Sequence, residues 1–287
     1  MNRRVVSVDS PADAPQSLIE KYDLRVVPLH VNYGLESFRD GVDISPQDIF
    51  DRFDESGALP KTSSASVQEY IDFFTGILDE GAEGIVHVSL SSGISGTYQN
   101  ARLAAQEMGA ADRIRVLDSL SLCSGMLFPV LAACQARDRG LTTDAMYAAA
   151  AEVVPRVDAA FLVGDLTFLR KGGRCTALEA LGANALGLRP TLVLNAEGRI
   201  VTGKKYRGRR DVCRRKFTED RVNTPHDART AFVSCTADFD RKELSALRKF
   251  AAEAGGFEET LSPTAGCVIT SHCGRDTIGV FLLKKED

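Results

Sequence analysis

Short apolar runs alternate along the chain with stretches in which apolar residues recur at helical spacing, a pattern typical of α/β proteins. The apolar runs predict strands over residues 4–8, 26–31, 84–90 and 113–118. Between them, residues 66–79 predict the clearest helix, because Ser66 and Glu69 form a capping box ahead of an apolar helical face. The repeated order of strand, turn and helix predicts a mostly parallel sheet with helices on both faces.

The pattern changes near residue 155 and predicts a second domain that is α+β, with a partly antiparallel sheet. Strands are predicted over residues 160–165, 229–236, 267–271 and 277–283. Residues 196–198 predict the turn of a hairpin, residues 169–174 a basic glycine-broken turn, and residues 239–255 a helix. We therefore divide the chain into an N-terminal α/β domain of residues 1–157 and a C-terminal α+β domain of residues 158–287.

The amino-acid composition argues against several classes of protein. The 287 residues include 26% charged residues and carry a formal net charge of −4, which argues against a globally basic nucleic-acid binder. No apolar run approaches the ~20 residues that span a bilayer, and the first residues do not resemble a secretory signal. Seven cysteines without a C-x-x-C pair indicate reduced thiols, so we expect a cytoplasmic protein.

Hydroxyl-rich turns precede two of the predicted helices, at residues 62–66 and 91–97. The start of a helix presents unpaired N–H groups that suit an anion, although an ordinary capped turn explains each segment equally well. Ser10, Ser91 and Ser119 each follow a predicted strand, so we expect them near the carboxyl edge of the parallel sheet.

Other motifs are incomplete. Residues 198–205 imitate a phosphate-binding loop, but Lys205 occupies the place of the Ser or Thr that would hold magnesium. Ser95 lacks the G-x-S-x-G pattern of a nucleophile elbow. His272 adjoins Cys273 without a second ligand pair, so we expect no metal site. The basic segment, residues 203–216, has eight Lys or Arg residues and is either a solvated face or a docking surface for an anion or a partner.

Taken together and in order, these motifs resemble the DegV family, the bacterial fatty-acid-binding proteins. The matching segments run over nearly the whole chain, at residues 8–10, 28–31, 40–44, 62–66, 91–98, 118–119, 169–174, 189–190, 207–208 and 272–274. The resemblance implies a long-chain fatty acid held in a tunnel between two domains, with no cofactor and no metal.

The resemblance also implies roles for individual residues. Thr62 and Ser95, with Ser63 nearby, would hold the carboxylate, and the family's H-x-G histidine falls on His272. Arg174 and Arg207, with residues 203–216, would face a partner, and His272 is a candidate for that surface as well as for the carboxylate site. That partner is a separate ATP-dependent fatty acid kinase, which makes an acyl phosphate for phospholipid synthesis. The chain would then be a carrier and not itself an enzyme, without an integral membrane segment but with transient membrane contact.

The sequence departs from the family pattern after His272, where Arg275-Asp276 replaces a Pro-Gly pair. Two other functions stay open. The first is a serine hydrolase or transferase that uses Ser95 or Ser63 with His272. The second is a nucleic-acid-binding or regulatory protein that uses the basic segment. A fatty acid found in the purified protein would separate the carrier from both.

Overall fold

The computed structural model describes residues 3–164, 166–173 and 188–286. Its strands are β1 (Arg4–Asp9), β2 (Arg25–Val27), β3 (His30–Tyr33), β4 (Glu36–Arg39), β5 (Lys61–Ser63), β6 (Gly84–Ser89), β7 (Ile114–Asp118), β8 (Val157–Leu162), β9 (Leu188–Leu194), β10 (Ile200–Arg207), β11 (Thr230–Cys235), β12 (Glu259–Leu261) and β13 (Ile278–Leu283). Its α-helices are α1 (Gln16–Tyr22), α2 (Pro46–Ser56), α3 (Val67–Asp79), α4 (Thr97–Glu107), α5 (Leu127–Asp138), α6 (Thr143–Val153), α7 (Leu166–Gly172), α8 (Arg210–Val222), α9 (Arg241–Gly255) and α10 (Cys267–Cys273).

The first large sheet has the strand order β2-β1-β6-β7, and all of its neighbouring strands are parallel. Strand β6 is buried along its whole length, as expected for a central strand covered by helices. The helix pairs α3–α4 and α5–α6 pack against this sheet and cover it. The predicted mostly parallel sheet in the first half of the chain is therefore confirmed.

The second large sheet has the strand order β10-β9-β8-β13-β11-β12. Its pairs are antiparallel except for β11 and β12, so the predicted α+β second half is confirmed. One face, which includes Phe161 and Phe281, joins the core shared with the first half. The opposite face, which includes Val233 and Val280, packs in a separate core with residues of α8 and α9.

The single strand predicted over residues 26–31 is wrong, because these residues form two strands in different sheets. Strand β2 belongs to the parallel sheet, whereas β3 lies between β4 and β5 in a small antiparallel sheet. Pro28 separates the two because it has no N–H for a ladder hydrogen bond. The next amide, of Leu29, donates instead to Ser10 Oγ at 3.1 Å.

The strand predicted over residues 267–271 is also wrong, because these residues form helix α10. Its residues are almost all buried, and a short run buried on all sides does not reveal helical periodicity. The helix is stabilised by caps from distant residues. Gly266 N donates to Asp13 Oδ1 at 2.8 Å, and Cys267 N donates to Asp40 Oδ1 at 2.7 Å. Local sequence does not disclose these caps.

The turn predicted over residues 169–174 is wrong for residues 169–172, which belong to α7, and Arg174 lies outside the described residues. The ring of Phe168 on this helix packs against Phe50 and Phe53 of α2, at centroid distances of 6.2 and 4.9 Å. Helix α7 also contacts α10. The division of the chain at residues 157 and 158 stays a prediction.

Candidate functional site

A cavity of about 460 Å³ lies where the two halves of the chain meet. Its polar groups are four hydroxyls and one imidazole, those of Thr62, Ser63, Ser64, Ser95 and His272. The rest of its side-chain lining is apolar and comes from both halves of the chain: Leu29, Leu90, Ile94, Leu122, Phe161, Leu169, Ile200, Val268, Ile269 and Cys273. The cavity therefore suits a molecule with a long apolar part and a small polar group.

Strand β5 and helix α10 bring Thr62 and His272 together, although 210 residues separate them in sequence. Thr62 Oγ1 and His272 Nε2 share a hydrogen bond of 2.8 Å. Pairing with β3 fixes the position of β5, with Val31 opposite Thr62. Ser63 Oγ accepts a hydrogen bond from Asn32 Nδ2 at 3.0 Å. Thr62, Ser63 and His272 thus line one cavity.

Ser95 reaches the same cavity from the loop between β6 and α4. Its hydroxyl lies 2.5 Å from Thr97 Oγ1, and it accepts from Thr97 N at 3.2 Å. The loop is docked on the turn between β9 and β10, where Ser91 Oγ donates to Gly198 O at 2.8 Å. The approach is so close that a Cβ at Gly93 would lie 2.3 Å from the carbonyl oxygen of Glu197. Glycine is therefore required there.

The serines that follow the first strands hold loops in place. Ser91 N donates to Ser121 O, and Ser119 Oγ donates to the same carbonyl, so these two serines lie on neighbouring turns. Ser10 Oγ donates to Asp40 Oδ2 at 2.7 Å. None of these three serines lines the cavity in the part of the chain that the structure describes.

The basic segment is divided between β10 and α8, and several of its cations are already paired. Lys204 Nζ lies 2.5 Å from Asp220, and Arg210 lies 2.8 Å from Asp276. Arg214 is buried between Glu243 and Asp276. Arg207, at the end of β10, is exposed. The segment is therefore not one continuous basic surface.

The unusual turn after His272 is anchored on two sides. Arg275 donates to Asp54 at 2.6 Å and to the carbonyl oxygen of Phe50 at 3.3 Å, and its guanidinium stacks on the Phe50 ring at 4.7 Å. Asp276 has a φ of +61°, which lies in the left-handed region that favours glycine, and its carboxylate pairs with Arg210. The ion pairs of Arg275 and Asp276 thus stabilise this turn, at the two positions where the family pattern has a Pro-Gly pair.

A buried hydrogen-bond network below the cavity resembles a hydrolytic triad in its order of groups. Ser7 Oγ lies 3.0 Å from His87 Nδ1, and His87 Nε2 lies 3.0 Å from Asp9 Oδ1. All three side chains are fully buried and none lines the cavity, so the network has no access to a substrate there. Ser95, the proposed nucleophile of the hydrolase alternative, hydrogen-bonds to Thr97 instead.

Asp9 is the centre of this network. Its carboxylate also accepts from Tyr70 Oη at 2.5 Å, Ser89 Oγ at 2.7 Å and Leu90 N at 2.8 Å. Burial raises the pKa of Asp9, but the His87 charge and these donors outweigh burial and hold the pKa below its ordinary value. Because Leu90 lines the cavity, the ionised carboxylate fixes part of the cavity wall.

Sequence reasoning missed the structural roles of Asp9, Asp13 and Asp40. Asp9 ends β1 inside the motif at residues 8–10, and Asp40 begins the motif at residues 40–44, so position in those motifs was the available signal. Within the described ranges, no group of three His, Cys, Asp or Glu side chains is arranged to hold a metal ion. None of the helices described in the structure combines the length and apolar character that crossing a bilayer requires.

The fold and the cavity define a class: α/β proteins with two large sheets and a small third one, and with an apolar cavity that carries hydroxyls and an imidazole on its wall. Comparison with known proteins narrows that class. The model of the DegV family, whose members are described as uncharacterised, matches residues 4–285. The chain belongs to the DegV family, so the resemblance drawn from the motifs is confirmed.

Individual relatives match over almost their full length. A DegV domain-containing protein of Caldanaerobacter subterraneus is 30% identical and covers 99% of this chain and 100% of its own. A fatty acid-binding protein of Thermotoga maritima is 29% identical and covers 96% of this chain and 95% of its own. The solved structure of a DegV family protein from Thermus thermophilus, described by its fatty acid binding, superposes with a TM-score of 0.86 at 30% identity, over 99% of this chain and 100% of that one.

Proposed function

We propose that the cavity binds a long-chain fatty acid, with the tail along the apolar wall and the carboxylate at Thr62, Ser95 and His272. The observation that carries this proposal is the lining itself, in which hydroxyls and one imidazole interrupt an otherwise apolar surface. The fatty acid binding of the Thermotoga and Thermus relatives supports the same ligand class.

The tail and the carboxylate of the fatty acid contribute differently to the free energy of binding. About fifteen buried methylenes contribute roughly 12 kcal/mol of gross driving force, and association and ordering costs remove much of it. A carboxylate costs several kcal/mol when it is buried unpaired, so it needs the hydroxyl donors. The tail therefore sets affinity and the head sets orientation.

The neutral character of these donors suits a carrier. Hydroxyls and an imidazole satisfy the carboxylate without the bidentate arginine pair that would hold it tightly and reduce its nucleophilicity. A carboxylate held in this way keeps its reactivity toward a phosphoryl group. The protein would act in the cytoplasm, without catalysing the phosphoryl transfer itself.

The test of ligand identity is direct. We expect the protein purified from a bacterial host to release close to one fatty acid per chain on organic extraction, measured by mass spectrometry. Protein carrying Ile269→Asp, which places a carboxylate in the apolar wall, should release far less. Its circular dichroism spectrum should match that of the unaltered protein. Absence of fatty acid from the unaltered protein, after reloading with palmitate or oleate has also failed, would contradict the proposal.

We further propose that a separate ATP-dependent fatty acid kinase phosphorylates the bound carboxylate, and that the acyl phosphate serves phospholipid synthesis. Arg174 and Arg207 are the candidates for the kinase-facing surface. Exposure of Arg207 supports its part in this surface. Protein loaded with labelled palmitate should give acyl phosphate, trapped as the hydroxamate, only when kinase and ATP are both present.

Arg207→Ala should lower that yield severalfold without changing palmitate affinity. The matched control is Arg209→Ala, because Arg209 is also exposed and pairs with Asp211 beside it at 2.8 Å. Acyl phosphate formed from ATP by the carrier alone would overturn the two-protein scheme. Equal yields from both arginine variants would remove Arg207 from the kinase-facing surface.

A further inference from the structure

A second and much smaller cavity lies behind the apolar wall of the first. It measures about 20 Å³, close to the ~10–15 Å³ that a single water molecule requires. We refer to it as the inner chamber. Four residues line both cavities and form the partition between them: Leu122, Phe161, Ile269 and Cys273. The inner chamber is otherwise lined by Cys123, Ser234, Cys235, Thr236, Ala265, Thr277, Gly279 and Phe281.

The register of the second sheet builds this partition. Phe161 on β8 lies opposite Gly279 on β13, and Phe281 lies opposite Ala159. Side chains at directly opposite positions project from the same face of an antiparallel sheet, so both rings face the cavities. The ring of Phe281 folds over Gly279, where a Cβ would lie only 2.6 Å from a ring carbon. Glycine at position 279 therefore lets Phe281 close the inner chamber.

Phe161 is the largest side chain of the partition, and its exposed fraction is only 3%. Its backbone is paired with Gly279 on one side and Leu192 on the other, so the ring can leave its place only by a change of side-chain rotamer. Strand β8 is central because β9 and β13 flank it. The partition therefore separates the main cavity from the inner chamber, and a tail in the main cavity meets these four side chains before it can enter the chamber.

We propose that Phe161 is the specificity-determining residue for acyl-chain length, because the terminal methyl group of the bound tail stops against its ring. The inference rests on the proposed function, since it concerns the same fatty acid. Longer tails are excluded because the inner chamber has room for about one water-sized group. The ligand class is therefore a fatty acid of bounded length.

Removing the ring should join the two cavities and lengthen the preferred tail. Each additional buried methylene is worth about a fourfold gain in affinity. In Phe161→Ala we expect the preferred saturated acid to be two or more carbons longer than in the unaltered protein. Compared with the unaltered protein, the affinity of the acid that is two carbons longer should gain about sixteenfold relative to that of the shorter acid.

The experiment uses the full chain, stripped of lipid and titrated with saturated acids from lauric to arachidic. The control is Phe217→Ala, which removes an equally buried phenyl ring from α8 on the opposite face of the same sheet, away from both cavities. A third variant combines Phe161→Ala with Ala265→Leu, which refills the inner chamber. It should restore the original length preference.

The outcomes separate this inference from the proposed function. If the unaltered protein binds none of the acids, the proposed function fails. If it binds them and Phe161→Ala keeps the same length preference, the partition inference alone is wrong. An equal shift in Phe217→Ala, or no restoration by Ala265→Leu, would also overturn it. Should Phe161→Ala not fold, Phe161→Leu provides the same comparison, with an expected shift of at least one carbon.

Discussion

Replacing both head-group hydroxyls, with Thr62→Val and Ser95→Ala in one chain, is expected to weaken binding of palmitate about a hundredfold. In the proposed binding mode each hydroxyl donates a hydrogen bond to a charged oxygen, worth about 1.5–3 kcal/mol, and about 3 kcal/mol in total corresponds to that factor. Valine keeps the shape of threonine, so the apolar wall stays intact. Isothermal titration of the delipidated protein measures the change.

Hexadecan-1-ol is the internal control for this double variant, because it has the tail of palmitate without the charge. Its affinity should fall by only about fivefold, since two hydrogen bonds to a neutral hydroxyl are worth about 1 kcal/mol in total at the low end of their range. Equal losses for the acid and the alcohol would mean that the substitutions disturb the tail path. Unchanged palmitate affinity would remove Thr62 and Ser95 from the head-group site.

Replacing Asp40 with alanine is expected to lower the free energy of unfolding by about 3 kcal/mol. The carboxylate is buried and accepts from Cys267 N at 2.7 Å and Ser10 Oγ at 2.7 Å. Both donors would lose their acceptor, and the amide of Cys267 is the first N–H of its helix, which has no partner within the helix. Because Cys267 begins the helix that carries His272, palmitate affinity should fall as well. Urea unfolding monitored by circular dichroism gives the first quantity, and titration gives the second.

The matched control is Asp43→Ala, three residues away in the same motif. Asp43 pairs with Arg39 at 2.8 Å on the surface, where its side chain is 36% exposed. Exposed ion pairs contribute little to stability because solvent screens them. The control should therefore leave both unfolding and palmitate binding nearly unchanged. If Asp40→Ala behaves like Asp43→Ala, the carboxylate is not the anchor of helix α10.

The elements that sequence predicted well are those whose signals are local. Helix α3 begins where predicted because Ser66 and Glu69 cap it reciprocally: Glu69 N donates to Ser66 Oγ at 3.2 Å, and Ser66 N donates to Glu69 Oε2 at 2.7 Å. The hairpin between β9 and β10 was likewise visible as a turn signal between two apolar runs. Local backbone preferences and the solvent exposure of one face are enough to determine such elements, without contacts from distant parts of the chain.

Helix α10 was missed because distant residues decide it. Its apolar run is compatible with a buried strand, and only the carboxylates of Asp13 and Asp40 supply the caps that favour a helix. Contacts between distant parts of the chain also build the site, so the sequence alone predicts only part of it. The resemblance led to Thr62, Ser95 and His272, whereas the partition at Phe161 depends on the register between β8 and β13, which sequence alone does not give.

The hydrogen bond between Thr62 and His272 joins the two halves of the chain at the wall of the main cavity. A molecule lodged there touches both lobes at once and favours the native conformation over the unfolded one. At a ligand concentration a hundred times its dissociation constant, this linkage adds about 2.7 kcal/mol to stability. With a fatty acid as the proposed ligand, the melting temperature of the protein rises with the fraction of chains that hold it. This temperature can be measured on crude preparations, before any extraction.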